Sequence, residues 1–216
     1  MRLGFCGEKG GLGKTTLALC VAGELARRGR KVLVLDCDEN QHTAVRWATI
    51  AEARGGLTFD VAQRSLAQIR PDERFDHEVV IFDLPGHRSP VVRAVAPLTE
   101  LLVMPVTASF EAWSVEPTLA LAKAAQSQLR VVLTRTRPGQ RFADTAAALR
   151  KELQAAGVQL LKHSVRDLSA FREALLAGRL PVGSRERSAV QDIEQVTTEI
   201  LTATRRSSRP PAQVAA

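Results

Sequence analysis

Leu3-Gly4-Phe5-Cys6-Gly7-Glu8-Lys9-Gly10-Gly11-Leu12-Gly13-Lys14-Thr15-Thr16 opens the chain and decides its fold. A short apolar run, Leu3 to Cys6, leads into a glycine-rich turn. An amphipathic helical pattern follows from Thr15 to about Arg27. Strand, glycine-rich turn and helix start is the context in which a loop grips phosphate. The glycines let backbone N–H groups approach phosphate oxygens, and the helix start adds its positive dipole end. In this reading Gly10, Gly11, Leu12, Gly13 and Thr16 line the phosphates. Lys14 reaches the β- and γ-phosphates, and the Thr15 hydroxyl ligates magnesium. The strict G-x-x-x-x-G-K-[ST] pattern wants glycine at position 8, where this chain has Glu8; Gly7 comes one residue early. Lys9, five residues before Lys14, is not needed to hold a nucleotide within one chain.

The rest of the composition fits one nucleotide-handling domain. At 216 residues, 45% apolar and 25% charged, the chain suits a single domain with a substantial core. The reading is one domain over 1–204 and a polar, proline-containing tail over 205–216. The net charge of +7 favours polyanionic partners, nucleic acid before anionic membrane. Cys6, Cys20 and Cys37 sit inside apolar segments without C-x-x-C or histidine spacing, which reads as buried, reduced thiols in a cytoplasmic protein. Arg2 runs directly into the first strand, so no secretion signal is expected. No apolar run approaches the ~20 residues that span a bilayer.

Beyond the loop, apolar β-branched runs alternate with helical patterns. Candidate strands are Leu3–Cys6, Lys31–Asp36, Glu78–Asp83, Leu101–Val106, Arg130–Thr134 and Val158–Leu161. Helical patterns fall at roughly 15–28, 41–54, 110–126, 141–155, 168–177 and 187–204. Continuous apolar strands separated by helices imply an α/β fold: a doubly wound, mostly parallel sheet with helices on both faces. Ligands in such sheets sit beyond the C-terminal ends of the strands. The polar residues gather there: Lys9 to Thr15, Asp36 and Asp38, Asp83, Pro105 to Ser109, and Thr134-Arg135. Val79-Val80-Ile81-Phe82-Asp83 has the Walker B form, four apolar residues and a carboxylate. Asp83 would hold a water on magnesium, an ion that takes few protein ligands.

The segment Lys9-Gly10-Gly11-x-Gly13-Lys14-Thr15 resembles the deviant Walker A motif of the ParA/MinD family of P-loop ATPases. Leu35-Asp36-Cys37-Asp38 resembles the family's D-x-D-P-Q motif, with Glu39-Asn40 in place of Pro-Gln. Leu84-Pro85-Gly86 resembles its D-x-P-[PG] turn, and Met104-Pro105-Val106-Thr107-Ala108-Ser109 its P-V-x-P-S segment. Ser164 to Val182 is similar to its C-terminal pattern. The resemblance spans Met1 to about residue 183, in particular to small plasmid-type ParA proteins. It implies a P-loop NTPase fold and ATP and magnesium as cofactors. It also implies a homodimer formed on ATP, in which Lys9 of each subunit reaches the other's phosphates. By the same resemblance Lys9, Lys14 and Asp38 are the catalytic set, Asp38 orienting or deprotonating the attacking water. Thr15, Asp36 and Asp83 serve magnesium, with Asp36 supporting its shell or the loop. Pro105, Thr134 and Arg135 flank the base.

Arg166, Arg172, Arg179, Arg185 and Arg187 thicken the positive charge in the C-terminal third. On a dimerising ATPase they suit non-specific binding to double-stranded DNA, because phosphate contacts need only cation and reach. The function implied is a nucleoid-associated ATPase that positions or segregates a plasmid, chromosome or protein assembly. A cargo-bound, ParB-like partner would stimulate its hydrolysis. Two other classes share the fold. A MinD-like membrane cycle needs a C-terminal amphipathic membrane helix, whereas this chain ends Arg-Pro-Pro-Ala-Gln-Val-Ala-Ala, so no stable membrane association is expected. A metabolic P-loop enzyme would use ATP only with its metabolite. His42, His77, His87 and His163 have no metal spacing, and Trp47 and Trp113 read as core residues.

Overall fold

The computed structural model describes residues 1–7, 11–86, 90–107, 116–124, 126, 128–137, 139–181 and 187–207. Seven strands run β1 (Arg2–Phe5), β2 (Val32–Asp36), β3 (Asp60–Gln63), β4 (Val79–Asp83), β5 (Leu101–Thr107), β6 (Gln128–Thr136) and β7 (Val165–Arg166). They form one sheet in the order β3-β2-β4-β1-β5-β6-β7, and every pairing is parallel. The α-helices are α1 (Lys14–Arg27), α2 (Thr43–Glu52), α3 (Pro90–Val95), α4 (Glu116–Ala124), α5 (Gln140–Ala155), α6 (Ser169–Leu176) and α7 (Arg187–Ser207). Helices α1, α2, α6 and α7 bury apolar residues against one face of the sheet. Residues of α3 and α5 cover the other. The sheet is therefore doubly wound, as the alternation of apolar runs and helical patterns implies.

The central strands are covered on both faces, so they need apolar residues at every position. All five residues of β2 and of β4 are buried, and each Leu, Ile, Val or Phe among them contributes roughly 1.5–3 kcal/mol. Helix α1 lies between the sheet and α7, and every residue from Leu17 to Leu25 is buried. That stretch includes Glu24. Burial pushes its carboxyl up, but hydrogen bonds from Arg27 and Arg28 outweigh burial and hold it below the usual carboxylate range. Arg27 also bonds Glu194 at 2.9 Å, tying α1 to α7. Trp47 is buried and stacks on Phe59 with ring centres 6.3 Å apart, as expected for a core residue. Trp113 lies outside the described residues. The three cysteines are free and buried, and burial pushes each thiol up to about 12.

The elements differ from the sequence reading in four places, the first being helix α3, Pro90–Val95, which matches no helical pattern read from the sequence. Strand β3, Asp-Val-Ala-Gln, is an edge strand without an apolar run, exposed except for the half-buried Val61. The expected strand Val158–Leu161 contributes a single bridge, Leu160 to Val131, and the seventh strand is Val165–Arg166. Arg150 draws the carbonyls of Leu161 and Lys162, while Glu199 accepts the amides of Lys162 and His163. These bonds pull the chain off β6 before it rejoins at Val165. Helix α7 runs to Ser207, three residues past the expected boundary at 204.

Candidate nucleotide-binding site

Because all strands are parallel, their C-terminal ends meet at one edge, and the polar residues found there form a cleft. In register, Phe5 and Asp36 both neighbour Asp83. The loop after β1 turns with Gly11 and Gly13 at φ 77° and 88°, a left-handed backbone that glycine adopts without strain. Helix α1 then starts at Lys14, which is 9% exposed. Lys14, Thr15 and Thr16 line a cavity of about 440 Å³ with Gly11, Gly13, Asp38, Asp83 and Arg135. Lys9 and Gly10, the other expected loop residues, lie outside the described residues, as does Glu8.

The carboxylates take different roles. Asp83 is 2% exposed. Burial pushes its carboxyl up to about 7, partly offset by a hydrogen bond from Thr15 and by the Lys14 charge; Asp36 and Asp38 push it further up. Its Oδ1 is buried with no hydrogen-bond partner. A buried carboxylate with one unsatisfied oxygen, held by the P-loop threonine, fits a hard cation that arrives with phosphate oxygens and keeps its waters. Thr15 and Asp83, both expected at magnesium, are thus brought together. Asp36 is held by backbone amides. Its Oδ2 accepts the amides of Ala44 and Val45 at 2.9 and 3.1 Å, and its Oδ1 accepts the Asp38 amide at 3.1 Å. It therefore caps α2 and, through the Asp38 amide, braces the loop, one of the two roles that the resemblance implied for it. Asp38 lines the cleft, and its Oδ1 accepts the amides of Asn40 and Gln41. Glu39, in the place of the usual proline, accepts the Leu66 amide at 2.8 Å.

The end of β6 grips the P-loop from below. Arg135, at φ 55°, donates to the Gly11 carbonyl at 2.6 Å. The buried Thr134 hydroxyl lies 3.4 Å from the Leu12 carbonyl and 3.2 Å from that of Val106. Sequence reasoning missed this contact, because residue spacing does not show that β6 ends beneath the loop. Both residues also line a second, mostly apolar cavity with Leu17, Asp167, Leu168 and Phe171. Pro105 is buried within β5, opposite Val132, and lines neither cavity.

The basic residues divide in the same way. Arg166 is committed within the fold: its guanidinium bonds Asp192 at 2.7 to 3.1 Å and the Ser188 carbonyl at 2.9 Å. Those bonds hold it above the usual arginine range, and they join β7 to α7. Arg172, Arg179 and Arg187 are exposed; Arg172 lies 3.8 Å from Asp167. Arg185 lies outside the described residues. Among the described residues no helix is long and apolar enough to cross a membrane.

Known proteins share this sequence pattern and fold. The CobQ/CobB/MinD/ParA nucleotide-binding domain model matches residues 3–182. The maintenance of carboxysome distribution protein A of Halothiobacillus neapolitanus is 28% identical over 211 residues, covering 89% of this chain and 93% of that one. Its counterpart from Gloeobacter kilaueensis is 31% identical over 202 residues, covering 89% and 90%. Protein ParA of Rhizobium radiobacter is 35% identical over 101 residues, and the match spans 45% of that protein. Among solved structures, Pyrococcus furiosus cell division ATPase MinD superposes with a TM-score of 0.75 at 17% identity, covering 93% of this chain and 98% of that one. An ATP complex of Cyanothece McdA superposes at 0.71, also at 17% identity, covering 93% and 96%. The chain belongs to the CobQ/CobB/MinD/ParA nucleotide-binding family, and its P-loop sets it among the ParA and MinD proteins.

Proposed function

We propose that the chain is an ATPase that dimerises on ATP, binds duplex DNA without sequence preference and positions a cargo, with hydrolysis stimulated by a partner on that cargo. The observation that carries the reading is the contact between Thr15 and Asp83, beside Lys14 and within reach of Asp38 in one cleft. Lys14 neutralises charge on the terminal phosphates. Thr15 and Asp83 would hold magnesium, which when bound neutralises charge developing between the β- and γ-phosphates. Asp38 lines the same cleft, and it orients the attacking water or takes its proton. Arg135 and Thr134 fix the loop and border the base pocket. Lys9 completes the partner subunit's site, so ATP joins two subunits.

Several relatives are named for carboxysome distribution and for partition, and a cargo of the same kind, a plasmid, chromosome or protein assembly, fits this chain. Arg172, Arg179, Arg185 and Arg187 supply phosphate contacts, and a dimer doubles them. The test is phosphate release and molar mass by light scattering with ATP and magnesium. Lys14→Ala should bind nucleotide at least ~100-fold more weakly. Asp38→Ala should bind ATP and accumulate as dimer with turnover down ~100-fold or more, the scale of a lost general base. Lys9→Ala should bind ATP and stay monomeric. Normal turnover by Asp38→Ala, or normal dimerisation by Lys9→Ala, contradicts these roles.

A further inference from the structure

We infer that the groove between α2 and α6 docks an acidic, amphipathic segment of the regulatory partner; this rests on the positioning-ATPase reading above. The groove has a volume of about 480 Å³ and is lined by Leu19 of α1, Arg46, Trp47 and Ile50 of α2, and Leu175 and Leu176 of α6. Three large apolar side chains are exposed among the described residues, and two of them stand in this groove: Ile50 at 43% and Leu176 at 79%. Exposed apolar residues gathered in one concave place mark an interaction site more strongly than the same residues scattered.

The polar groups say what covers it. Arg46 is the one charged residue in the lining; it is exposed, with no ion pair among the described residues. Trp47 is 5% exposed and contributes to the apolar wall. An exposed cation without an ion pair, set among apolar walls, suits an occupant with aliphatic anchors and a carboxylate. An amphipathic helix laid into a groove has that chemistry.

The groove is built to report on nucleotide. At one end it is closed by close packing. The Gly178 Cα stands so near α2 that a Cβ there would meet Ile50 Cγ2 at 2.8 Å, and Arg54 donates to the Ala177 carbonyl at 2.8 Å. At the other end it opens into the phosphate cleft: Thr15, Thr16, Asn40, Gln41 and Thr43 line both. An occupant therefore touches the loop that carries Asp38, and α2 hangs from Asp36 at the same loop. Partner and nucleotide then change each other's affinity reciprocally.

The probe is a fluorescein-labelled amphipathic peptide with leucines at helical i, i+4 and i+7 spacing and glutamates elsewhere. A scrambled peptide and a lysine-for-glutamate peptide are the controls. Fluorescence anisotropy with the full chain should show the acidic peptide binding in preference to both. Leu176→Ser and Ile50→Ser should each weaken it about tenfold. Arg46→Glu should transfer preference to the lysine peptide. Equal binding of all three peptides, or binding untouched by these variants, overturns the proposal. So does a Leu176→Ser variant that loses the ATP dimer by light scattering while keeping the peptide, since that gives the groove to a second copy. Failure of the ATPase reading shows separately, as wild-type protein that neither binds a fluorescent ATP analogue nor releases phosphate, whatever the peptide does.

Discussion

Asp83 shows how a single side chain can be costly to the fold and useful to the site. Its carboxyl is buried, has one oxygen without a partner, and is pushed up to about 7 chiefly by burial. Without nucleotide or metal the folded state therefore keeps a proton that the unfolded chain releases near pH 3.8. Below that pH both states are protonated and Asp83 costs nothing. Between 3.8 and about 7 the unfolded state loses its proton first, so stability falls as pH rises and the loss is complete above about 7. A rise of that size sets a ceiling of roughly 4 kcal/mol. Asp83→Asn should accordingly be more stable than wild type at pH 8 without nucleotide, and the gain should vanish toward pH 4. Denaturant unfolding of both proteins across that range measures it; a pH-independent difference would mean the charge is not the cause. The Walker B pattern at Val79 to Asp83 was legible in the sequence because four apolar residues and a terminal carboxylate define it. The unsatisfied Oδ1 was not, since it depends on what the folded loop leaves uncovered.

At the scale of elements, α2 links the site to the rest of the molecule. His42 precedes it in a left-handed conformation and makes no side-chain cap. The cap comes from Asp36, eight residues before Ala44, through bonds to the amides of Ala44 and Val45. Asp36→Ala leaves those donors without their acceptor and should cost about 2–3 kcal/mol, lowering the Tm by roughly 5–10 °C. An unchanged Tm would show that packing of Trp47 and Ala48 alone holds the helix. The sequence made the first aspartate of Asp36-Cys37-Asp38 conspicuous, but an eight-residue reach to a helix start has no periodicity to reveal it. Strands buried on both faces announce themselves as apolar runs. The edge strand Asp60–Gln63 does not, because one side of it needs no apolar cover. The Val158–Leu161 run was apolar enough to read as a strand, yet Arg150 and Glu199 withdraw the residues that follow. Side chains from distant helices settled that outcome.

Across the whole molecule the basic charge is unevenly employed. Arg27, Arg28 and Arg166 are paired with carboxylates inside the fold, so these three are not among the cations offered to a polyanion. Arg172, Arg179 and Arg187 stay exposed. With so few contacts per subunit, monomers should bind DNA weakly, and a dimer that doubles the contacts should bind far more tightly. The measurement that tests this account most directly is binding to non-specific duplex DNA at moderate salt with ATP, with ADP and with no nucleotide. The account predicts binding with ATP that is at least ~100-fold tighter than in the other two states and weakens steeply as salt rises. Equal binding in all three states would contradict it, leaving a basic surface with no link to the nucleotide cleft.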